Sequence, residues 1–290
     1  MADFKEKKQI DSNSVFQLAS VSKQFTATAI MILHEKKQIN INDKVTKYFP
    51  EFPYEKVTIE QLLNHTSGLP SYFYLAEKKW DHPKPPLNHE MIEMFEKHHP
   101  YRYFRPGRSF KYSNSGYIVL ASIVEKVTGN TLDNFMQENI FEPLNMTNTF
   151  VYRAREDSTK ENQLLGYRGS SWRKRKVIDP YWEDAITGDK NVYSTTIDLY
   201  KWIKGLNSGK IVSDSTLNIM YSKSHTSRGR SIPYGYGFRI TSDKEGDKIV
   251  YHNGKWNGFR TSLKQYLNDE ISVVILEHTN YPSEIPRERR

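Results

Sequence analysis

The 290-residue chain contains no cysteine, which excludes disulfides, thiolate zinc sites and a cysteine nucleophile. A cysteine-free chain suits periplasm and cytoplasm equally, so compartment stays open. No apolar run approaches the roughly 18 residues of a membrane span, and Met1-Ala2-Asp3-Phe4 does not read as a signal peptide. Internal repeats and low-complexity tracts are missing as well. Nothing of metal-ligand spacing surrounds His65, and no metal or other cofactor is expected. Acidic residues are outnumbered, giving a net charge of +8 that favours encounter with anionic polymers without specifying any chemistry. The one dense cluster, Arg173-Lys174-Arg175-Lys176 beside Trp172, follows Gly166-Tyr167-Arg168-Gly169-Ser170-Ser171 and reads as a solvated loop. It lies in no recognisable nucleic-acid-binding module, so no nucleic-acid partner is expected.

Hydrophobic residues at 37% and aromatics at 13%, against 26% charged, describe a globular chain that can bury a large core. Its organising stretch is Phe16-Gln17-Leu18-Ala19-Ser20-Val21-Ser22-Lys23. On a helix, positions i and i+3 share a face, so a helix opening here sets the Ser20 hydroxyl beside the Lys23 amine, a nucleophile next to a base. The first helical turn also directs N–H groups and the positive end of the helix dipole at the serine. From Gln24 to Leu33 the wheel is apolar or small almost all round, which predicts a helix through the interior.

Further along, Thr58-Ile59-Glu60-Gln61 is a capping box that starts a brief helix ended by His65-Thr66-Ser67-Gly68-Leu69-Pro70. His65 reads as a hydrogen-bonded structural histidine, and Tyr72 to Pro86 as an irregular surface excursion. Glu90 to His98 reads as an amphipathic helix. A turn-rich loop from Arg105 to Gly116 then delivers Tyr112 and Asn114 ahead of a helix marked by Tyr117, Leu120, Ala121, Val124 and Val127 and closed by Gly129. Helices are expected from Thr131 to Ile140, Asp198 to Leu206 and Ser215 to Tyr221. The texture then changes to strands over 234–240, 248–252, 259–267 and 271–278, an antiparallel meander. His252-Asn253-Gly254 ends one of these strands, with Gly254 and Gly258 permitting close backbone approach.

Ser20-x-x-Lys23, Tyr112-Ser113-Asn114 and His252-x-Gly254, in that order, resemble the penicillin-recognising serine hydrolases. The tyrosine in the second motif is similar to the class C β-lactamase, D-alanyl-D-alanine carboxypeptidase and esterase branch. Leu62 to Leu69, the Pro106-Gly107 turn and Tyr234-Gly235-Tyr236-Gly237-Phe238 extend the resemblance over nearly the whole chain. It implies an α/β (α+β), β-lactamase/transpeptidase-like fold: an antiparallel sheet flanked by helices plus a mostly helical subdomain. The expected layout is one domain over 1–290, with the helical subdomain at about 40–190 inserted into a part made of about 1–39 and 191–290.

By the same resemblance Ser20 is the nucleophile and Lys23 helps deprotonate it, while Tyr112 shuttles the proton and Asn114 binds the substrate amide. The backbone N–H groups of Ser20 and Lys255 form the oxyanion hole, beside Gly254, and His252 holds the substrate carboxylate or orients Tyr112. The implied activity is hydrolysis, through an acyl-enzyme, of D-amino-acid peptides, esters or β-lactams, with peptidoglycan as a natural source. Histidine rather than lysine at the start of the third motif shifts weight from β-lactamase to DD-peptidase or esterase. Gly188-Asp189-Lys190-Asn191-Val192 also departs from the family by lacking the usual glycines after the aspartate. The alternative reading is a catalytically impaired relative that binds cell wall or a partner.

Two further expectations concern the ends. Relatives carry a helix and two strands before this starting point and a helix after its end, whereas Pro282-Ser283-Glu284-Ile285-Pro286 does not suit a helix. Ile271, Val273, Val274, Ile275 and Leu276 form a strand apolar on both faces that wants cover and an edge neighbour. The expectation is therefore a chain truncated relative to its relatives, or one that associates with itself or exchanges elements. The resemblance places such enzymes in the periplasm or outside the cell, and no signal peptide marks this chain.

Overall fold

The computed structural model describes residues 7–155, 157–171, 174–178 and 182–280. A two-residue strand β1 (Phe16–Gln17) leads through a 3-10 turn (Ala19–Val21) into helix α1 (Ser22–Glu35), and every residue of α1 from Ser22 to Leu33 is buried. This is the burial that its nearly uniform apolar wheel demands. Phe25 lies 4.3 Å from Trp202 and 5.7 Å, edge-on, from Phe141, so large rings anchor the helix in the core.

The helical middle holds α2 (Ile59–Leu63), α3 (Tyr72–Lys79), α4 (Asn88–His98), α5 (Asn114–Thr128) and α6 (Leu132–Met136), the last extended by a π turn over Gln137–Phe141. The capping box of α2 is present: the Gln61 N–H donates to Thr58 Oγ1 at 3.3 Å and the Thr58 N–H to Gln61 Oε1 at 3.1 Å. The stretch from Tyr72, expected to be irregular, begins with a helix instead. Tyr72, Leu75 and Ala76 make a buried i, i+3, i+4 stripe that the surrounding lysines and aromatics conceal in the sequence.

Strand β2 (Phe150–Val151) follows, then a hairpin of β3 (Tyr167–Ser171) and β4 (Lys174–Val177). The basic cluster read as a solvated loop thus supplies a strand, with Arg168 registered opposite Lys176, while Trp172 and Arg173 fall outside the described residues. Charged side chains suit an edge hairpin, where one face meets water. Strand β5 (Val192–Ser194), helices α7 (Thr196–Asn207) and α8 (Asp214–Met220), and the short pair β6 (Ser224–His225) and β7 (Ser231–Ile232) come next.

The chain closes with β8 (Arg239–Ser242), β9 (Lys248–Trp256), β10 (Phe259–Tyr266) and β11 (Ile271–Glu277), antiparallel in the order β11-β10-β9-β8. The strand expected from Tyr234 starts only at Arg239. Tyr234 to Phe238 is irregular because Gly237, at φ +82°, lets the chain lie against Lys23 O and Ala27 of α1, where a Cβ has no room.

A second sheet, in the order β1-β5-β2, ties the start of the chain to the segment after the helical middle. At the far side of the main sheet β11 is an edge, with Ile271 54% and Val273 41% exposed, while Val274 and Leu276 pack on the core. The segments 1–6 and 281–290, on which the readings of Ala2-Asp3 and of Pro282 to Pro286 fall, lie outside the described residues.

Candidate active site

Ser20 stands on the 3-10 turn between β1 and α1, one residue after Ala19, whose φ of +48° is a costly conformation for a residue with a Cβ. The turn is held from three directions. The Leu18 N–H donates to Val192 O at 2.8 Å, and the Val192 N–H donates to Ser22 Oγ at 3.0 Å. Thr261 Oγ1 of β10 donates to Leu18 O at 2.7 Å. Gly254 of β9 lies so near that an added Cβ meets Leu18 O at 2.3 Å and Ala19 Cβ at 3.0 Å. Such over-determination is what allows a strained turn to persist.

Lys23 is fully buried, the second residue of α1, and its Nζ is 3.3 Å from Ser20 Oγ and 2.8 Å from the carbonyl oxygen of Asp189. Burial pushes its pKa down to about 8; the Asp189 carboxylate works against this shift and the Arg239 guanidinium adds to it. The spacing in the sequence brings serine and lysine together as expected, although a 3-10 turn rather than the α-helix carries the serine.

Tyr112 lies within the same cluster: Lys23 Nζ is 5.0 Å and Arg239 Cζ 5.4 Å from its ring centre. The His65 ring rests against it at 4.3 Å, with φ +62° at His65 and Nδ1 accepting the Ser113 N–H at 3.2 Å. Burial first, then the Lys23 cation and, more weakly, Arg239, hold the His65 pKa well below its ordinary value, so this ring is a neutral support for the tyrosine. Asn114 is the first residue of α5, whose N-cap Ser113 accepts the Gly116 N–H at 3.3 Å; its buried Oδ1 has no hydrogen-bond partner in the structure.

His252 is on β9 but only 1% exposed, and both ring nitrogens are engaged internally. Nδ1 donates to Asn253 O at 2.8 Å and Nε2 accepts from Tyr234 OH at 3.0 Å, the arrangement of a neutral imidazole. Burial, then the cations Arg239 and Lys23, hold its pKa well below the ordinary histidine value. Its ring centre is 6.0 Å from that of Tyr112. Strand β8 pairs with β9 only as far as Tyr251, so the backbone of 252–256, including Gly254 and Lys255, has its free edge against the serine turn.

Three participants were not singled out by motif. Arg239, which follows Tyr234 to Phe238 in sequence, sits on Tyr112. Lys190, only 3% exposed, pairs with Asp189 Oδ1 at 3.2 Å and donates to Tyr72 OH at 2.7 Å, while Tyr72 OH donates to Asp189 Oδ2 at 3.1 Å. This closed triangle backs the carbonyl that receives Lys23. Its sequence signal was the departure at Gly188 to Val192, where a charged residue replaces small ones. Among the described residues no cluster of three or more metal-binding side chains occurs, and no helix is long and apolar enough to cross a membrane.

The comparisons agree with this geometry. The β-lactamase family profile matches residues 1–290. A penicillin-binding protein of Bacillus subtilis is 34% identical over 98% of this chain, which spans 65% of that relative's length. Among solved structures, a penicillin-binding protein from Bacillus halodurans superposes with a TM-score of 0.81 at 24% identity, over 96% of this chain and 85% of the other. An octameric penicillin-binding protein homologue from Pyrococcus abyssi superposes with a TM-score of 0.79 at 26% identity, over 96% of this chain and 65% of the other. With a serine–lysine pair at the head of a buried helix, a closing antiparallel sheet and a family match over residues 1–290, the chain has the β-lactamase/transpeptidase-like fold and belongs to the β-lactamase family.

Proposed function

We propose that this chain is a serine hydrolase that forms an acyl-enzyme on Ser20 and acts on D-amino-acid peptides or esters in preference to β-lactams. The observation that carries the proposal is the Ser20 Oγ to Lys23 Nζ distance of 3.3 Å at a fully buried lysine whose pKa is lowered to about 8. At pH 7 about a tenth of such a lysine is neutral, against less than about a thousandth at its ordinary pKa.

Neutral Lys23 accepts the Ser20 proton as Oγ bonds to the substrate carbonyl carbon. The developing oxyanion meets the N–H groups of Ser20 and Lys255 on the serine turn and the edge of β9. Tyr112, beside the Lys23 ammonium, passes a proton to the departing group as the scissile bond breaks, and then takes one from the water that hydrolyses the ester. Asn114 binds the substrate amide.

His252 serves this reading by orienting the Tyr112 side of the site through Tyr234; at 1% exposure, with both nitrogens engaged, it is poorly placed to hold a carboxylate. Arg239, over Tyr112, is the cation placed to meet one. This arrangement supports a carboxypeptidase or esterase reading. Action outside the cytoplasmic membrane is supported by the family alone. Self-association through β11 is supported by the exposed Ile271 and Val273 and by the octameric Pyrococcus abyssi homologue.

Intact-mass spectrometry tests the proposal. Incubation with a fluorophosphonate or a penicillin adds one adduct mass to the folded protein and none to Ser20→Ala. A folded wild-type sample without a Ser20-dependent adduct refutes it and leaves a non-catalytic wall- or partner-binding relative.

A further inference from the structure

The N–H groups of Ser20 and Lys255 belong to segments far apart in the chain, and a pair of donors stabilises an oxyanion only when their separation is fixed. Lys255 stands next to the tip of a hairpin. Trp256 and Phe259 face each other across the two-residue turn Asn257-Gly258, with φ +44° and +84°, and the ladder leaving such a turn directs the Lys255 N–H off the free edge of β9. Strand β8 pairs with β9 no further than Tyr251, so from His252 to Trp256 the sheet holds the hairpin through β10. A two-stranded hairpin is barely stable by itself, and its tip needs a further anchor.

Asp184 is that anchor. The residue is 1% exposed; its Oδ1 accepts from Trp256 Nε1 at 2.7 Å and its Oδ2 from Asn257 Nδ2. Gln17 of β1, three residues before Ser20, donates its Nε2 to the same Oδ1 at 3.4 Å. One carboxylate therefore joins the tip of the β9–β10 hairpin to the strand that delivers the serine. Asp184 is itself held, because its carbonyl oxygen accepts the Ala154 N–H at 3.2 Å and Asn191 Nδ2. The tip is also walled in: a Cβ on Gly166 would meet Asn257 O at 1.7 Å, and one on Gly258 would meet Tyr167 N at 2.6 Å. Burial raises the pKa of the Asp184 carboxyl, so the ionised form that accepts from both sides is kept at a cost in free energy. The hydrogen bonds it collects offset that cost.

We propose that Asp184 is a positioning residue for the oxyanion hole: by binding the side chains of Gln17, Trp256 and Asn257 at once, it sets the distance between the Ser20 and Lys255 N–H groups. The inference rests on the acyl-enzyme reading and names the group that fixes the hole. Thr261 ties the same two segments at Leu18 O, opposite Gly254 and farther from the tip, so losing the Asp184 carboxylate frees the Lys255 end without detaching β9 from the serine turn. An amide at 184 keeps the tie. Its oxygen accepts the indole N–H, and Asn257, whose buried Oδ1 has no hydrogen-bond partner in the structure, turns that oxygen to the new NH2.

Steady-state kinetics with a chromogenic ester tests this in Asp184→Ala, Asp184→Asn and Trp256→Phe, with rates taken per Ser20 site titrated to completion by a fluorophosphonate, so that unfolded protein does not count. A boronic acid, which forms a tetrahedral adduct on Ser20, reports the hole separately. In Asp184→Ala kcat is expected to fall about tenfold or more with KM within about twofold of wild type, and boronate affinity to weaken by a similar factor. Asp184→Asn returns kcat to within about threefold of wild type, and Trp256→Phe lowers it about threefold or more without adding to the loss in Asp184→Ala. An Asp184→Ala kcat within about threefold of wild type, a loss confined to KM, or unchanged boronate affinity overturns the proposal. If Asp184→Ala does not fold, Trp256→Phe decides by the same split between kcat and KM. A wild type that takes up no fluorophosphonate on Ser20 refutes the acyl-enzyme reading and this proposal with it, an outcome distinct from an active wild type with an unaffected variant.

Discussion

Replacing Arg239 by Gln should move the pH dependence of acylation in a direction and by an amount that the structure sets. Lys23 Nζ and Arg239 Cζ lie 5.0 and 5.4 Å from the same Tyr112 ring centre, so the two cations are no more than about 10 Å apart. Two like charges at that distance repel by about 0.4 kcal/mol at the dielectric constant of water and about 1.7 kcal/mol at an effective value near 20. Arg239 is half-buried at the edge of the site rather than sunk in the core, so a partly screened value between these limits applies, corresponding to about 0.3 to 0.7 pH unit. Arg239 contributes to lowering the Lys23 pKa, and its removal raises that pKa. Less Lys23 is then neutral at any pH below the new value, and the acid limb of the acylation profile shifts upward from about 8. At pH 7 the rate falls about 2- to 5-fold, and above pH ~9 wild type and variant converge. The assay is kcat/KM against pH for a chromogenic ester without a carboxylate, so that any substrate-binding role of Arg239 is silent. Arg239→Lys, which keeps the charge, should retain the wild-type limb. An acid limb that stays in place or moves to lower pH in Arg239→Gln would show that charge repulsion does not set the basicity of Lys23.

Lys23→Met should abolish acylation yet stabilise the fold. A lysine at about 8 folded and 10.5 unfolded opposes folding by about 3 kcal/mol below pH 8, an opposition that fades as pH rises to about 10.5, and losing the bond to Asp189 O returns part of this. A rise in Tm of about 2 °C or more at pH 7, shrinking toward pH 10, is the calorimetric signature. Gly254→Ala should cost about 1–3 kcal/mol and reduce acylation at least about 100-fold, because its Cβ would meet Leu18 O and Thr261 Oγ1 at 2.3 Å and displace β9 from the serine turn; unfolding in urea and burst amplitude measure the two effects. Lys190→Ala leaves the Asp189 carboxylate buried without its cation and should destabilise by about 3–5 kcal/mol, whereas Lys190→Met with Asp189→Asn should restore most of that loss in a denaturant titration.

The features legible in the sequence are those whose partners lie within a helical turn or a hairpin. Thr58 and Gln61 form their capping box, and Ser20 faces Lys23, because three residues of chain fix both distances. Gln24 to Leu33 could be read as buried because an apolar wheel has one stable environment. Helix α3 was hidden because its buried stripe is short and its flanks are charged. The order of Tyr112, Asn114 and His252 identified the lineage, but the side of β9 from which His252 acts was not readable.

Sequence alone therefore determined that the Ser20 hydroxyl and the Lys23 amine stand side by side at the head of a buried helix, since chain geometry over a few residues leaves little else possible. Tertiary structure decided how basic that lysine is and where the serine points. The pKa of about 8 at Lys23 comes from burial against α5 and residues 187–190, and from Asp189 and Arg239, which are 166 and 216 positions away in the chain. The left-handed Ala19 before Ser20 survives because Val192, Gly254 and Thr261 clamp the turn from distant strands. Desolvation and strain of this kind depend on the packing of the whole chain, which no local pattern of residues records.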